Sequence, residues 1–531
     1  MSSIFVIVIA GLFFSFGIFI YAKYIERTFE IDREAKTPAV AKYDGVDFVP
    51  ARNWLILFGH HFSSIAGAAP IVGPVIAVSI WGWGPSVIWI VLGSVFIGGL
   101  HDFSSLIISV KSNGSSIADI ARNTISYRAK IVFSLFVFLA LILVVAVFTY
   151  LCAKTFVADS RVVLPSLGLI PVAMLAGFLL YRLRSNQFTV TALGLILLLG
   201  LIISGNFFPI DLGSNLLSKW IIILLIYAFF ASIMPVNILL QPRDYLSAYL
   251  LFFGIGMGYA GLLLSHPDIH TPFFIISSAD MPLWPLLFVT VACGAVSGFH
   301  SLIASGTTSK QLPNQVYAKR IGYGAMIFEG ILAVLALLCV SAGLNNYGSF
   351  KALLMKGGPI VAFSKGFGNI TRPILGKFGA VTAIVILNAF ILTTLDTATR
   401  ISRYVFEELT GIRKRWLSTS IVVILAGLLA WGGRWRLIWP TFGASNQLVA
   451  ALTLLVITTW LLSRNKPVKL VLSAAIFMLI TTIAALCVQI LNYFRQHQIL
   501  LLIISSVLIV LAIFIACETI RVFLNKNKQR R

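Results

Sequence analysis

Residues 58–74 read Phe58-Gly59-His60-His61-Phe62-Ser63-Ser64-Ile65-Ala66-Gly67-Ala68-Ala69-Pro70-Ile71-Val72-Gly73-Pro74. The stretch is apolar, yet it holds two prolines, three glycines and a histidine pair. Proline removes a backbone donor and clashes with the turn before it, so a helix over 54–80 is expected to break near 67–74. In a bilayer, broken backbone is tolerated only where it is buried in protein or lines a cavity. Freed carbonyls and half-helix ends can hold ions and charged substrate groups there. Small residues at Gly59, Ser63 and Gly67 also suit a kinked packing helix. Packing does not explain the two histidines, which are expensive inside a membrane.

The wider chain supports a membrane setting. Of 531 residues, 59% are hydrophobic and 11% charged, against about 25% charged in soluble domains. Long apolar runs such as 131–150 and 191–203 read as spanning helices. Lipid offers no hydrogen bonds, so each span is expected to be helical. Soluble folds, soluble enzymes included, are excluded. The expected fold is an all-α polytopic membrane protein with about fifteen transmembrane helices of roughly 20 residues. Expected limits are 3–23, 54–80, 84–110, 130–152, 163–181, 187–206, 218–240, 246–265, 284–305, 321–344, 377–398, 417–432, 437–462, 468–491 and 498–521.

The net charge of +22 reflects basic connectors rather than a nucleic-acid partner. With the N-terminus outside and the C-terminus cytoplasmic, most Lys and Arg, including Arg243 and Arg400 to Arg415, fall in cytoplasmic connectors. Residues 4–22 read as a true first span, not a signal peptide. Cys152, Cys293, Cys339, Cys487 and Cys517 lack metal or disulfide spacing and read as small core residues. Trp81, Trp83, Trp284, Trp431, Trp435 and Trp439 suggest an exterior aromatic belt. The exterior connector 345–376 is long enough for a short surface helix.

Residues 1–53 form a first helix and connector, 54–400 a transport core, and 401–531 a plainer accessory bundle. The seventh span contains Ser232-Ile233-Met234-Pro235-Val236-Asn237, which predicts a second mid-span break near 232–237. The second and seventh spans start on opposite sides and lie five apart, as expected of two inverted five-helix repeats. Ser297, Ser301 and Ser305 of the ninth span share one helical face, either to hold a cation or polar solute or to join helices. The stretch from Trp439 to Gln447 reads as packing or gating.

Intramembrane ionisable groups are functional candidates by default. Here they are His60, His61, His101, Asp102, His300, Glu329 and Asp396. Asp396 precedes Arg400 by one helical turn, which predicts a local ion pair. Asp102, Glu329 and His300 are the candidate proton-coupling residues. His60, His61, His101 and Asp102 could instead hold a bound cation or transition metal, though their spacing is no recognised signature. Candidate substrate contacts are Ser63, Ser64, Gly67, Ala68, Ser232, Asn237, Ser297, Ser301 and Ser305. A channel or a metal-dependent intramembrane enzyme are the competing classes.

Several motifs then converge. Tyr43-Asp44-Gly45-Val46-Asp47-Phe48-Val49-Pro50, Phe58 to Phe62, Gly67 to Pro70 and Gln241-Pro242-Arg243-Asp244-Tyr245 resemble the carbon starvation protein CstA family. So do Ser297 to Ser301, Ser305 to Thr308, Leu395 to Arg400, and Gly443 with Ser445-Asn446-Gln447. The resemblance implies a bacterial inner-membrane uptake system for peptides or pyruvate, coupled to protons. It also implies kinship to the amino acid–polyamine–organocation transporters, with a LeuT-like core of inverted repeats. By analogy with such cores, the second and ninth spans would flank a cation-sized site.

Overall fold

The computed structural model describes residues 1–213, 216–276, 280–431 and 435–530, with side chains for all but 435–438 and 526–530. Among the described residues the chain is helical, with one isolated bridge between Ser2 and Asp268. Among the described residues, twelve helices are long and apolar enough to cross a membrane. They are α1 (Ser3–Phe29), α4 (Trp83–Lys111), α5 (Tyr127–Ala158), α6 (Ser160–Arg182), α7 (Gln187–Phe207), α8 (Leu216–Ile233), α9 (Leu240–Ser265), α12 (Gln315–Ser341), α15 (Arg372–Thr410), α17 (Trp439–Ser463), α18 (Lys469–Arg495) and α19 (Ile499–Asn525). A further span is bent by 41° into α2 (Trp54–Ile65) and α3 (Ala69–Trp81). Shorter helices include α10 (Leu283–Thr290), α11 (Gly298–Gly306), α13 (Tyr347–Gly357), α14 (Pro359–Ile370) and α16 (Arg415–Ala430).

The break expected near 67–74 falls at 66–68, and Pro74 lies inside the following helix. Helix α2 ends at Ile65, and α3 starts at Ala69 with Pro70 in its first turn, where its missing N–H is no loss. The break expected at 232–237 is not mid-span. Helix α8 ends at Ile233 and α9 begins at Leu240, so Pro235 and Asn237 lie in a connector. Pro235 cannot donate to a helix ladder, and Val236 N–H instead bonds the Val46 carbonyl 3.1 Å away. The second break lies in the expected 284–305 span, between α10 and α11, where residues 291–297 are irregular. The serine stripe is thereby split, with Ser297 before the helix and Ser301 and Ser305 within it.

Around the broken pairs the helices pack in corresponding ways. Helix α5 lies along α15, while α8 and α16 pack on each other and on both. Helix α9 packs against α2, and α17 against α11. Helix α4 packs on α11 and α12, and α12 on α2 and α3. Helices α6 and α7 form a hairpin, and α18 and α19 lie against α17.

Other expectations are corrected. A domain boundary at 400 falls inside the continuous helix α15. The connector 345–376 carries two helices, α13 and α14, and the second has a largely buried face. Cys487 and Cys517 are exposed on the outside of the bundle, unlike the other three cysteines. Trp81, Trp83 and Trp439 are buried while Trp284 and Trp431 are exposed, so the tryptophans form no uniform belt. The Trp435 side chain and the expected interruption near 432 lie outside the described residues.

Residues 43–51 form a strap across one end of the bundle. Asp44 Oδ1 accepts the amides of Val46, Asp47 and Phe48. Asp47 then meets Arg400 at 3.0 Å, Arg403 at 3.6 Å and the Tyr404 hydroxyl at 2.6 Å. Arg400 also donates to the carbonyls of Ala231 and Met234. It was expected to pair with Asp396 one turn away, but the Asp47 strap takes it instead. Burial alone would raise the Asp47 carboxyl, but Arg400 and Arg403 outweigh it and hold it below the usual carboxylate range. Its contribution is therefore full above the unfolded value of about 3.9 and is lost as pH falls through the lower folded value. Asp47→Asn should lower thermal stability in detergent at neutral pH, by up to about 3–5 kcal/mol for a buried partner removed. The gap from wild type should narrow as pH falls below about 4; a gap that persists in acid would contradict this account.

Candidate functional site

The interior polar groups sit where the broken helices meet their neighbours. In α4 a wide π-type turn over Gly93–Gly98 precedes His101 and Asp102. Such turns release carbonyls from the helical ladder. Those of Val95 and Phe96 accept the hydroxyls of Tyr323 and Tyr21 at 2.9 and 3.1 Å. This fixes the helix where it presents Asp102.

Asp102 is fully buried and shared by two imidazoles. His101 Nδ1 lies 2.8 Å from its Oδ1, and His300 Nδ1 lies 2.7 Å from its Oδ2. The other ring nitrogen of His300 is 3.0 Å from Glu329 Oε2, at ion-pair distance but outside hydrogen-bonding geometry. His300 thus stands between two carboxylates. It belongs to the first turn of α11, immediately after the irregular segment. Asn446 of α17 braces that start: its Oδ1 accepts the Phe299 amide at 2.8 Å, and its Nδ2 lies 3.0 Å from Ser297 Oγ. Gly298 is required here, because a Cβ would lie 2.3 Å from the Asn446 carbonyl oxygen.

A second network surrounds Arg243, which is fully buried in the first turn of α9 and not in a connector as its sequence position suggested. It donates to Asp396 and Tyr227, and to Asp244 at 2.9 Å. Tyr227 also donates to Asp396 at 2.5 Å. Asp244 Oδ2 is 2.7 Å from His60 Nδ1. Asp396, expected beside Arg400, is therefore claimed by α8 and α9. A lone interior carboxylate is expensive, so the nearest cation that tertiary packing supplies takes precedence over one helical turn. His61 stands between the networks, with Nδ1 2.8 Å from the Thr308 hydroxyl, and lies within electrostatic reach of Asp102, His300 and His60. The outer ring nitrogens of His61 and His101 have no hydrogen-bond partner.

The structure brings Asp102, His300 and Glu329 together. The proposed metal set is not assembled, since His60, His61 and His101 face Asp244, Thr308 and Asp102 respectively. Among the described residues no three His, Cys, Asp or Glu side chains converge as metal ligands. Adjacent helical residues point some 100° apart, which explains why a His-His dipeptide serves two networks.

The candidate substrate residues are dispersed. Ser63 donates to the Asp244 carbonyl at 2.8 Å, and Ser64 bonds Thr397 at 3.1 Å. A Cβ at Gly67 would meet Phe148 and the Thr394 hydroxyl at 2.6 and 2.7 Å, and Ala68 is fully buried beside it. Ser301 bonds Thr453 at 3.0 Å, while Ser305 donates back to the Ser301 carbonyl. Ser232 faces Thr419 at 3.4 Å, and Asn237 lies in the α8–α9 connector. These last two are therefore separate from the Gly67 break. Arg243, Asp244 and Asn446 had drawn no functional reading. The Gln241–Tyr245 motif was the sequence signal for the first two, and the Ser445–Gln447 motif, read as packing or gating, for Asn446.

A cavity of about 490 Å³ lies beyond the ion network, between α3, α10, the α13–α14 connection, α17 and α18. Below it Gly73 closes against Thr290, where a Cβ would sit 2.5 Å from the Thr290 carbonyl oxygen.

In overall fold the chain is similar to solved structures of a manganese transporter from Eremococcus coleocola. One, in complex with an aromatic bis-isothiourea compound, has a TM-score of 0.55 at 13% identity, covering 90% of this chain and 99% of that one. That likeness defines the class, a polytopic helical fold shared with membrane transporters. The chain belongs to the carbon starvation protein CstA family, whose model matches residues 2–352 and 343–485. Relatives include a "Peptide transporter CstA" of Campylobacter jejuni, 29% identical over 94% of this chain and 82% of its own. Another is the same-named protein of Helicobacter pylori strain J99, 31% identical over 91% and 81%. A third is the "Pyruvate/proton symporter BtsT" of Escherichia coli, 30% identical over 88% and 78%.

Arg243→Gln should leave Asp244 and Asp396 without their shared cation. We expect a loss of about 3–5 kcal/mol, read as a lower melting temperature of the detergent-solubilised protein. An unchanged melting temperature would show that the cluster is held by other means.

Proposed function

We propose that this chain is a secondary active transporter importing a small carboxylate-bearing nutrient, a peptide or pyruvate, by proton symport with alternating access. The observation carrying the reading is His300, buried between Asp102 and Glu329 at the start of a half-helix. Imidazole changes charge near neutral pH, and a carboxylate on each side can exchange its proton. Such a cluster beside a broken helix couples protonation to helix position. Relatives named as peptide transporters and as a pyruvate/proton symporter supply the two substrate classes and the coupling ion.

The same reading extends to the architecture. One five-helix unit is α2–α3, α4, α5, α8 and α9; its inverted counterpart is α10–α11, α12, α15, α16 and α17. The corresponding packing around the two broken pairs supports this LeuT-like pairing. It starts the second unit at α10, rather than at the seventh span, and extends the core to Ser463. Helices α6 and α7 are then an insertion, and α1, α18 and α19 are accessory. Counting the two broken pairs and α16 as crossings makes fifteen spans. The basic connectors support an N-terminus outside and a C-terminus in the cytoplasm of a bacterial inner membrane.

Uptake of labelled pyruvate and of a labelled dipeptide into proteoliposomes tests this reading. An inward proton gradient should drive accumulation of at least one. Asp102→Asn and Glu329→Gln should abolish gradient-driven accumulation while leaving exchange of internal for external substrate measurable. Accumulation indifferent to the gradient in wild type would refute proton symport.

A further inference from the structure

The strap over residues 43–51 and the cations it covers lie apart from the His300 cluster, and together they have the form of a filled binding site. Three guanidiniums converge on the one carboxylate of Asp47: Arg400 at 3.0 Å, Arg403 at 3.6 Å and Arg415 at 4.0 Å. The Tyr404 hydroxyl donates to it at 2.6 Å. Lys310 stands beside them, its ammonium 4.0 Å from the centre of the Tyr404 ring and 5.5 Å from that of Phe48. Arg400 and Arg403 are 0% and 1% exposed. Arg400 is also held by the carbonyls of Ala231 and Met234, and Arg403 by Glu407 at 3.2 Å. Even so, among the described residues Arg400 Nε and Arg403 Nε and Nη2 have no hydrogen-bond partner. Buried charged donors without acceptors are costly, and a guanidinium fork suits a carboxylate that takes two N–H groups at once. Reaching in from its strap, Asp47 leaves those donors unmet. Arg415 is 43% exposed, so water reaches the pocket from that side.

The strap itself is lightly held. Within 43–51 only Val49 and Ala51 are buried, the former against Val236 and Leu240. Neutral hydrogen bonds tie it to the bundle: Val236 N–H to the Val46 carbonyl and Gln241 Nε2 to the Val49 carbonyl, both at 3.1 Å, and Ala51 N–H to the Gln311 carbonyl at 2.9 Å. Gln311 in turn accepts from Gln241 at 2.8 Å and lies 3.2 Å from His60 Nε2. The strap therefore rests on the residues that follow half-helix α11 and on the first turn of α9, at the end of the bundle toward which the ion networks lead. A carboxylate on a short flexible tether competes at an effective concentration on the order of millimolar. A free carboxylate at comparable concentration can take its place.

We propose that Arg400, Arg403, Tyr404 and Lys310 form a carboxylate-binding site at the strap end of the bundle, and that Asp47 is its tethered occupant, displaced when the carboxylate of a substrate arrives. The strap is then a gate that the substrate itself opens, and Arg403 positions the departing carboxylate. The inference rests on the transport reading above, which supplies a carboxylate-bearing substrate and, with its orientation, a cytoplasmic exit at this end.

The first test needs no transport. Acetate is titrated against chloride at constant ionic strength while the melting temperature of detergent-solubilised Asp47→Ala is followed. Acetate should restore, saturably, part of the melting temperature lost relative to wild type. Adding Arg403→Gln should raise the half-saturating acetate concentration roughly tenfold or more, the equivalent of one charge-assisted hydrogen bond. Acetate no better than chloride, or an effect that Arg403→Gln leaves unchanged, overturns the proposal. In case Asp47→Ala does not fold, a second measurement keeps Asp47 and uses Val49→Cys with Cys487→Ser and Cys517→Ser. Acetate or pyruvate at concentrations on the order of millimolar, and not chloride, should speed maleimide labelling of that cysteine severalfold. Labelling indifferent to carboxylate overturns the proposal. A carboxylate response in a protein that accumulates neither pyruvate nor a dipeptide upholds the site and removes the transport reading. Accumulation of either substrate without any carboxylate response overturns the site alone.

Discussion

The pairing of buried charge with buried counter-charge is the interaction on which the interior depends. A bilayer-embedded bundle cannot solvate a carboxylate or a guanidinium, so each must be met by another part of the chain. Asp102 and Glu329 are met by His300, and Asp244 and Asp396 by Arg243. All but the adjacent Arg243–Asp244 pair join different helices. The polar contacts therefore fix which helices lie side by side, which apolar packing among Leu, Ile and Val faces specifies weakly.

The broken helices follow from the same constraint. Half-helices need partners for the backbone groups they free, and the neighbours provide them: Asn446 braces the start of α11, and Thr393 and Thr394 bond the carbonyls of Ser63 and Ser64 near the end of α2. Close approach makes this possible. Gly73 against Thr290 and Gly298 against Asn446 are contacts that a side chain on either glycine would prevent. On the strap side, Asp47 ties a connector to Arg400 and Arg403 of α15, so the end of that helix is tethered to the segment leading into α2.

Much of this was legible in order along the chain. Apolar length marked the spans, because lipid demands an internally bonded helix. Pro70 and Gly67 marked the first break, and the rarity of ionisable groups in apolar helices singled out Asp102, His300 and Glu329. The errors share one cause, which is that neighbouring sequence is a poor guide to buried partnership. Asp396 looked settled by Arg400 one turn on, and Arg243 looked like a loop charge near Pro242. Pro235 was taken for a mid-span break because its apolar flanks continue across it, whereas the second break at 291–297 contains no proline. The metal reading rested on donor chemistry alone, imidazoles and a carboxylate, which says nothing of whether those side chains converge.

The sequence by itself determined that this is a polytopic helical membrane protein, that its second span breaks, and which rare ionisable residues its interior must accommodate. Composition and period decide those matters locally, since each span meets the same apolar solvent. Only the tertiary structure decided that His300 stands between Asp102 and Glu329, that Arg243 serves two carboxylates, and that helix α18 walls a cavity. Those facts depend on residues on different helices coming within 3 Å, and the free energy of a buried charge is set by that distance, not by position along the chain.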